Sequence, residues 1–350
     1  MAAVGRFVAV VALGSALLVV AAPAGACGCG AVVTADNLGV YDEAALVRHD
    51  GRTEDIVMRL TLSGEPADAA WILPVPATPT FALGPDGLFD DLVEVTRPRV
   101  EVRKDWFPPI GAGGGDTAGA APGSDVSVLG RTTVGPYDVA TLAASDGNAL
   151  SQWLTAHGYT LDPELAQGAQ PYADAGWQYV AVKLSAPSAG ETLGRTLPPL
   201  RVTFASPEIV YPMRLTATAE IGPSLRLFVL APHRVRRDGQ VGPTDSDLRF
   251  AGWVEPASAG ESLATLVDER MFLTRFDQQV APESVTDDYR FTFADKDTAY
   301  RTVVYETEPV YVLGLPAGPV LIAVALVGLV MLTGLAVLVV VRRRSKSAAR

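Results

Sequence analysis

Hydrophobic and polar positions alternate through much of the first half of the chain. Ile56, Met58, Leu60 and Leu62 take turns with Val57, Arg59 and Thr61, the period of a strand with one buried face. Residues 44–49 and 55–62 flank Asp50-Gly51-Arg52-Thr53-Glu54, which predicts a hairpin with a glycine in its turn. Residues 69–76 follow as a strand, with Trp71, Ile72 and Leu73 ahead of Pro74 and Pro76. Proline cannot donate to a ladder, so the far end of this strand is expected at an edge or in an extended loop. Further strands are predicted over 93–102 (broken at Pro98), 126–142, 177–184, 200–204, 213–221, 225–231, 291–293 and 302–306. The period changes around Leu150, Trp153 and Leu154, which sit at i, i+3, i+4 with Ser145 or Asp146 before them and Gly158 after. That spacing with those caps predicts a helix. Residues 261–279 are expected to be helical as well. The pattern describes an α+β, β-rich ectodomain of mostly antiparallel strands with few helices.

The two ends break this pattern. Residues 1–26 carry Arg6, an apolar stretch from Phe7 to Ala22, Pro23 and then Ala24-Gly25-Ala26. These are the parts of a cleavable secretory signal peptide, with Cys27 as the new N-terminus. The apolar core of roughly 16 residues is short beside the ~20 that a spanning helix needs. Residues 318–341 are apolar throughout, with Thr333 the lone hydroxyl, and Arg342, Arg343, Arg344, Lys346 and Arg350 follow. At 1.5 Å per residue that run spans ~36 Å, enough to cross a ~30 Å hydrocarbon core. Basic residues on one side of such a helix predict that side to be cytoplasmic. The expected protein is exported, single-pass in the cell membrane, with its N-terminal domain outside and its C-terminus inside. Lipidation of Cys27 is disfavoured, because Ala24 stands where a lipoprotein signal places a larger aliphatic residue.

Composition narrows the partners. The chain carries −11 overall, and its two ends hold six cations and no acid, so the part between them carries −17. Such a surface repels nucleic acid, and none is expected as a partner. The partners expected are the lipid bilayer, through 318–341, and an unidentified envelope or extracellular molecule. A glycine-rich stretch, 111–124, cannot build a core and reads as a flexible loop. The resulting divisions are signal peptide 1–26, β-rich part 27–110, loop 111–124, α+β part 125–310, transmembrane helix 318–341 and basic tail 342–350.

Candidate chemistry is sparse. The two cysteines, Cys27 and Cys29, are open to three readings: a strained disulfide ring, a thiolate site for a soft metal, or two idle thiols. The three histidines, His49, His157 and His233, have no His or Cys at zinc-ligand spacing. No G-x-S-x-G elbow occurs. The acidic group Asp86, Asp90, Asp91 and Glu94 lacks the D-x-D-x-D-G order of a calcium loop and reads as a solvated face. His157 at its helix end suits a dipole contact. On an acidic domain the run His233-Arg234-Val235-Arg236-Arg237 stands out, either as a solvated turn or as an anion or partner contact. Trp71, Trp153 and Trp177 fall in apolar-patterned elements and read as core, whereas Trp106 is expected to be exposed. No catalytic residue, metal ligand or cofactor site is assigned. The candidate contact residues are Trp106, His233, Arg234, Arg236 and Arg237.

Several motifs together resemble a known family. They are Cys27-Gly28-Cys29-Gly30, Asp50-Gly51, the stretch Ala70-Trp71-Ile72-Leu73-Pro74-Val75-Pro76, the stretch Ala149-Leu150-Ser151-Gln152-Trp153-Leu154 ending at Gly158-Tyr159, and Val180-Ala181-Val182-Lys183-Leu184. They resemble the exported bacterial proteins grouped as domain of unknown function 2330, over most of 27–310. The resemblance implies an exported, membrane-linked protein and carries no catalytic residue. The leading expectation is a non-enzymatic binding or envelope-interaction module. The alternatives are an extracytoplasmic hydrolase and a copper or redox accessory protein using Cys27 and Cys29.

Overall fold

A computed structural model describes residues 25–27, 30–33, 39–107, 133–134, 137–142, 147–159, 163–186, 188 and 191–348. The glycine-rich stretch 111–124 and Cys29 lie outside these residues. The chain divides into two compact units. One takes Met1–Val95 with Val128–Ala299, and the other takes Thr96–Ser127 with Tyr300–Arg350.

The first unit is built on two sheets. In the larger, strands run in the order Leu248–Val254, Met271–Gln279, Ser224–Ala231, Val40–His49, Thr53–Leu62, Leu200–Ala205, Thr80–Leu83. The hairpin expected from the 55–62 alternation is there, with His49 opposite Glu54. All these neighbours are antiparallel except Ser224–Ala231 beside Val40–His49. The second sheet runs Gly25–Cys27, Gly30–Val33, Asp68–Val75, Gln178–Ser185, Tyr137–Leu142, Thr133–Val134, antiparallel throughout. A smaller sheet pairs Tyr289–Phe293 with Ile209–Tyr211 on one side and Val235–Arg237 on the other.

Side-chain alternation divides the interior into three layers of apolar contact. Ala45, Val47, Ile56, Met58 and Val202 of the larger sheet share one core with Trp71, Leu73, Val180 and Val182 of the second. The opposite face of the larger sheet, with Leu46, Val57 and Phe228, is covered by Leu88, Phe89, Leu92 and Leu263. The opposite face of the second sheet, with Ala70, Ile72 and Tyr179, is covered by Leu150, Leu154, Leu165 and Tyr172. The result is helix, sheet, sheet, helix. Asp68–Val75 is buried on both faces, and so reads as a continuous apolar run. It is paired on both sides through Ala70, Trp71 and Ile72, while Pro74 lies past the reach of Gly30–Val33 and, among the described residues, has a partner strand on one side alone. That is where a ladder tolerates proline.

Three expectations fail. Residues 88–95 form a helix, and the strand predicted from 93 starts only at Arg99. Met213–Ile221 is a 3-10 turn over Arg214–Thr218 instead of a strand. Only Glu261–Ala264 of the 261–279 stretch is helical, and Met271–Gln279 is a strand between two others. The helix Pro163–Asp174 was not expected, since Pro171 lies inside it.

The second unit pairs Arg99–Asp105 in parallel with Val303–Pro309. A short hairpin of Tyr311–Val312 and Leu315–Pro316 follows. It leads into the helix Ala317–Ala348, whose Ala317–Arg342 portion has a mean hydropathy of 2.9 and is long and apolar enough to cross a membrane.

Candidate anion-binding pocket

The strand Val235–Arg237 places successive side chains on opposite faces, and Pro232 and Gly239 bracket it as breakers. Its register against Tyr289–Phe293 sets Val235 opposite Phe293 and Arg237 opposite Phe291. Beside it lies the segment 243–248, which is held in a tight turn. There the Thr244 backbone N–H donates to Asp247 Oδ2 at 2.7 Å, and the Thr244 hydroxyl reaches the same oxygen at 2.8 Å. Between the two lies a cavity of about 380 Å³ lined by Arg234, Arg236, Arg237, Thr244, Asp245 and Ser246, over Val235, Pro243, Leu248 and Phe276. Its apolar part belongs to the core shared by the two sheets.

Three arginines and one aspartate are among the residues that border this space. Arg237 Nη1 donates to the carbonyls of Gln240 at 2.8 Å and Gly242 at 3.4 Å. Arg234 Nη1 donates to the Thr298 carbonyl at 2.9 Å. Neither bond neutralises a charge, and Arg236 has no bonded partner among the described residues. The Thr244 and Ser246 hydroxyls lie 2.6 Å apart. Guanidinium forks and hydroxyls over an apolar floor suit a carboxylate or phosphate carried on a small organic body.

The structure brings Arg234, Arg236 and Arg237 to one cavity and leaves the other candidates elsewhere. His233 turns to Asp297, with Nδ1 at 2.9 Å from Oδ2, and meets Phe293 edge-on. That contact and the Arg234 backbone N–H hold the Asp297 carboxylate below its usual range. Trp106, 44% exposed, belongs to the second unit. Cys27 ends the strand Gly25–Cys27. Among the described residues no group of three or more His, Cys, Asp or Glu is placed to hold a metal ion. Thr244, Asp245 and Ser246 escaped the sequence reading. Their turn-forming character was visible, but their place beside the arginines depends on how Leu248–Val254 and Met271–Gln279 pair.

The remaining histidines serve the fold. His49 is buried; its Nδ1 accepts the Gly51 N–H at 3.1 Å, so Nε2 carries the proton toward the Ser206 carbonyl, also at 3.1 Å. The Ser206 hydroxyl donates to the Glu208 carbonyl at 2.6 Å instead of facing the imidazole, so the pair is not a nucleophile and base. Removing His49 would leave the Ser206 carbonyl without this buried donor, so His49 has a structural role. His157 stacks on Trp153 and reaches that residue's carbonyl at 2.8 Å, closing its helix end.

The model for the family described as "Uncharacterized protein conserved in bacteria (DUF2330)" matches residues 23–292. The chain belongs to this family. In this DUF2330 chain the match takes in the whole pocket wall and ends before Val303–Pro309 and the apolar helix. No curated protein matches the chain. Among solved structures, the crystal structure of baculovirus P35 aligns over 73% of this chain and 98% of its own at 10% identity, with a TM-score of 0.37. A likeness that low carries no functional argument.

Proposed function

We propose that this protein is an exported, single-pass membrane protein whose outward domain binds a small anionic ligand in the arginine-lined pocket. The observation that carries this reading is the trio Arg234, Arg236 and Arg237 around one cavity, with none of their guanidiniums bonded to a carboxylate among the described residues. On a domain of strong negative charge, a concentration of cations over an apolar floor selects for a ligand of opposite sign. The anchoring part of the reading is supported by the helix Ala317–Arg342 and the cations that follow Val341. The role proposed is binding, because donors and positive charge are what the pocket wall offers a ligand.

Isothermal titration of the full chain in detergent, with inorganic phosphate and with succinate as probes, tests it. One of the two is expected to bind saturably. Arg236→Glu, which touches no structural partner, is expected to weaken that binding roughly tenfold or more, the loss of one charge-assisted contact. Absence of saturable binding by either probe, or an Arg236→Glu chain that binds equally well, would overturn the reading.

A further inference from the structure

The second unit carries a cluster of large apolar side chains that its own fold leaves in the open. Trp106 is 44% exposed, Phe107 62%, Tyr311 49%, Leu313 96% and Leu315 58%. They come from two segments far apart in the chain, and backbone bonds gather them at one place. Val310 N–H donates to the Asp105 carbonyl at 2.8 Å, Ala317 N–H to Val310 at 2.8 Å, and Gly318 N–H to the Trp106 carbonyl at 2.6 Å. The last two donors are the first residues of the apolar helix. Gly318 is needed there, because a Cβ would sit 2.4 Å from the Phe107 ring. The aromatic pair is therefore fastened to the turn at which the helix begins.

Leu313 makes the case specific. It occupies the hairpin tip with φ +53, next to Gly314 with φ +77. Two positive φ values in a two-residue loop are the I′ pattern, which favours Asn-Gly or Gly-Gly. A leucine there bears backbone strain, and in water its side chain would also be almost fully hydrated. In lipid the hydration cost is lifted, and burial of the leucine there offsets the backbone strain.

We infer that Trp106, Phe107, Tyr311, Leu313 and Leu315 form a collar that sits in the bilayer interface around the point of helix entry. Tryptophan and tyrosine belong at headgroup depth, where a ring can be buried and its polar edge wetted, and a leucine at a tip reaches the acyl boundary. The occupant of this surface is the same bilayer that the helix Ala317–Arg342 enters, so the inference rests on the reading of that helix as membrane-spanning. Its effect is to fix the height of the second unit at the membrane surface, which a lone helix free to slide and tilt would not do.

The test is tryptophan emission of the full chain reconstituted in phosphatidylcholine vesicles whose acyl chains carry bromine near the headgroup. Part of the emission is expected to be quenched, and Trp106→Phe is expected to remove that part, because Trp71, Trp153, Trp177 and Trp253 all belong to the first unit, outside the collar, although Trp253 is 37% exposed. Leu313→Asn, which suits the I′ turn and so keeps the hairpin folded, is expected to reduce the quenching of Trp106. Equal quenching with and without Trp106, or none at all, in vesicles from which alkaline carbonate does not extract the chain, would overturn the collar alone. Extraction by carbonate would overturn the spanning helix and the collar together.

Discussion

Glu54 accepts the Val210 backbone N–H at 2.9 Å on one carboxyl oxygen, and the other oxygen is buried without a partner among the described residues. Burial holds this carboxyl well above the usual range; the Val210 N–H opposes the shift, and the charges of Glu208 and Asp55 add to it. The folded chain thus keeps a proton that the unfolded chain releases near pH ~4.3. Stability contributed by Glu54 is complete below that value and declines as pH rises, until the folded group ionises too. Glu54→Gln, which mimics the protonated form, is expected to flatten this decline. Urea melts of both chains between about pH 4 and pH 8 measure it. Parallel pH profiles would mean that Glu54 is charged in the fold.

Asp55 is the hub of an ion cluster on the opposite face of the same strand. It receives Arg201 Nε at 2.9 Å, the Thr203 hydroxyl at 2.5 Å and Arg48 Nη1 at 3.1 Å, with its side chain 1% exposed. Asp55→Ala removes the buried carboxylate shared by two arginines, leaving Arg48 only Asp268, and is expected to cost about 3–5 kcal/mol. Thr203→Val removes one neutral donor and is expected to cost about 1 kcal/mol. Denaturant midpoints rank the two, and a reversed order would refute the hub.

Gly30 sits where no other residue fits. A Cβ there would lie 2.0 Å from the Ile72 carbonyl oxygen, an atom of the neighbouring strand's backbone. Gly30→Ala is expected to destabilise by about 3 kcal/mol or more. Gly39→Ala serves as the control, with nothing within 4 Å of its Cβ. Thermal unfolding of the pair should separate them; similar melting temperatures would show that the two strands can part at this point.

Asp91 caps a helix to which it does not belong. Its Oδ2 accepts the N–H groups of Ser262 and Leu263 at 2.8 and 3.0 Å. The cap position itself is Gly260, with φ +81, and a Cβ there would strike the Asp91 carboxylate at 2.5 Å. Asp91→Ala is expected to cost about 1 kcal/mol, the usual loss for a helix cap. Gly260→Ser, which adds a capping side chain in sequence, is expected to destabilise instead of rescue. Stabilisation by Gly260→Ser in the Asp91→Ala background would show that the cap is local.

What the sequence made legible was what lies in a single period. The 55–62 alternation faces one core with Ile56, Met58, Leu60 and Leu62, so its pattern could be read without knowing the neighbours. The helix Leu88–Val95 was hidden because Asp90, Asp91 and Glu94 look like a solvated run, although Leu88, Phe89 and Leu92 form its buried side. Met271–Gln279 lost its helical expectation to tertiary context: it lies between two strands, and both of its faces are claimed. The basic run was legible as charge. The cavity was not, because its second wall arrives through strand pairing between positions remote in sequence. Asp91 shows the same limit, for an acidic residue read as solvated turns out to serve a helix 171 residues away.

The parallel pairing of Arg99–Asp105 with Val303–Pro309 also imposes an order in time. A chain is made from its N-terminus, so the earlier strand must wait for the later one. At roughly 5–20 residues per second that wait is on the order of 10–40 s. Until then Val100 and Val102 belong to an unpaired strand edge, a hazard for association with other chains. The awaited strand immediately precedes the hairpin and the apolar helix. Completion of the second unit and arrival of the helix are therefore a single late event in synthesis. A chain that terminates before residue 303 lacks both, and presents its open edge as the mark of an unfinished molecule.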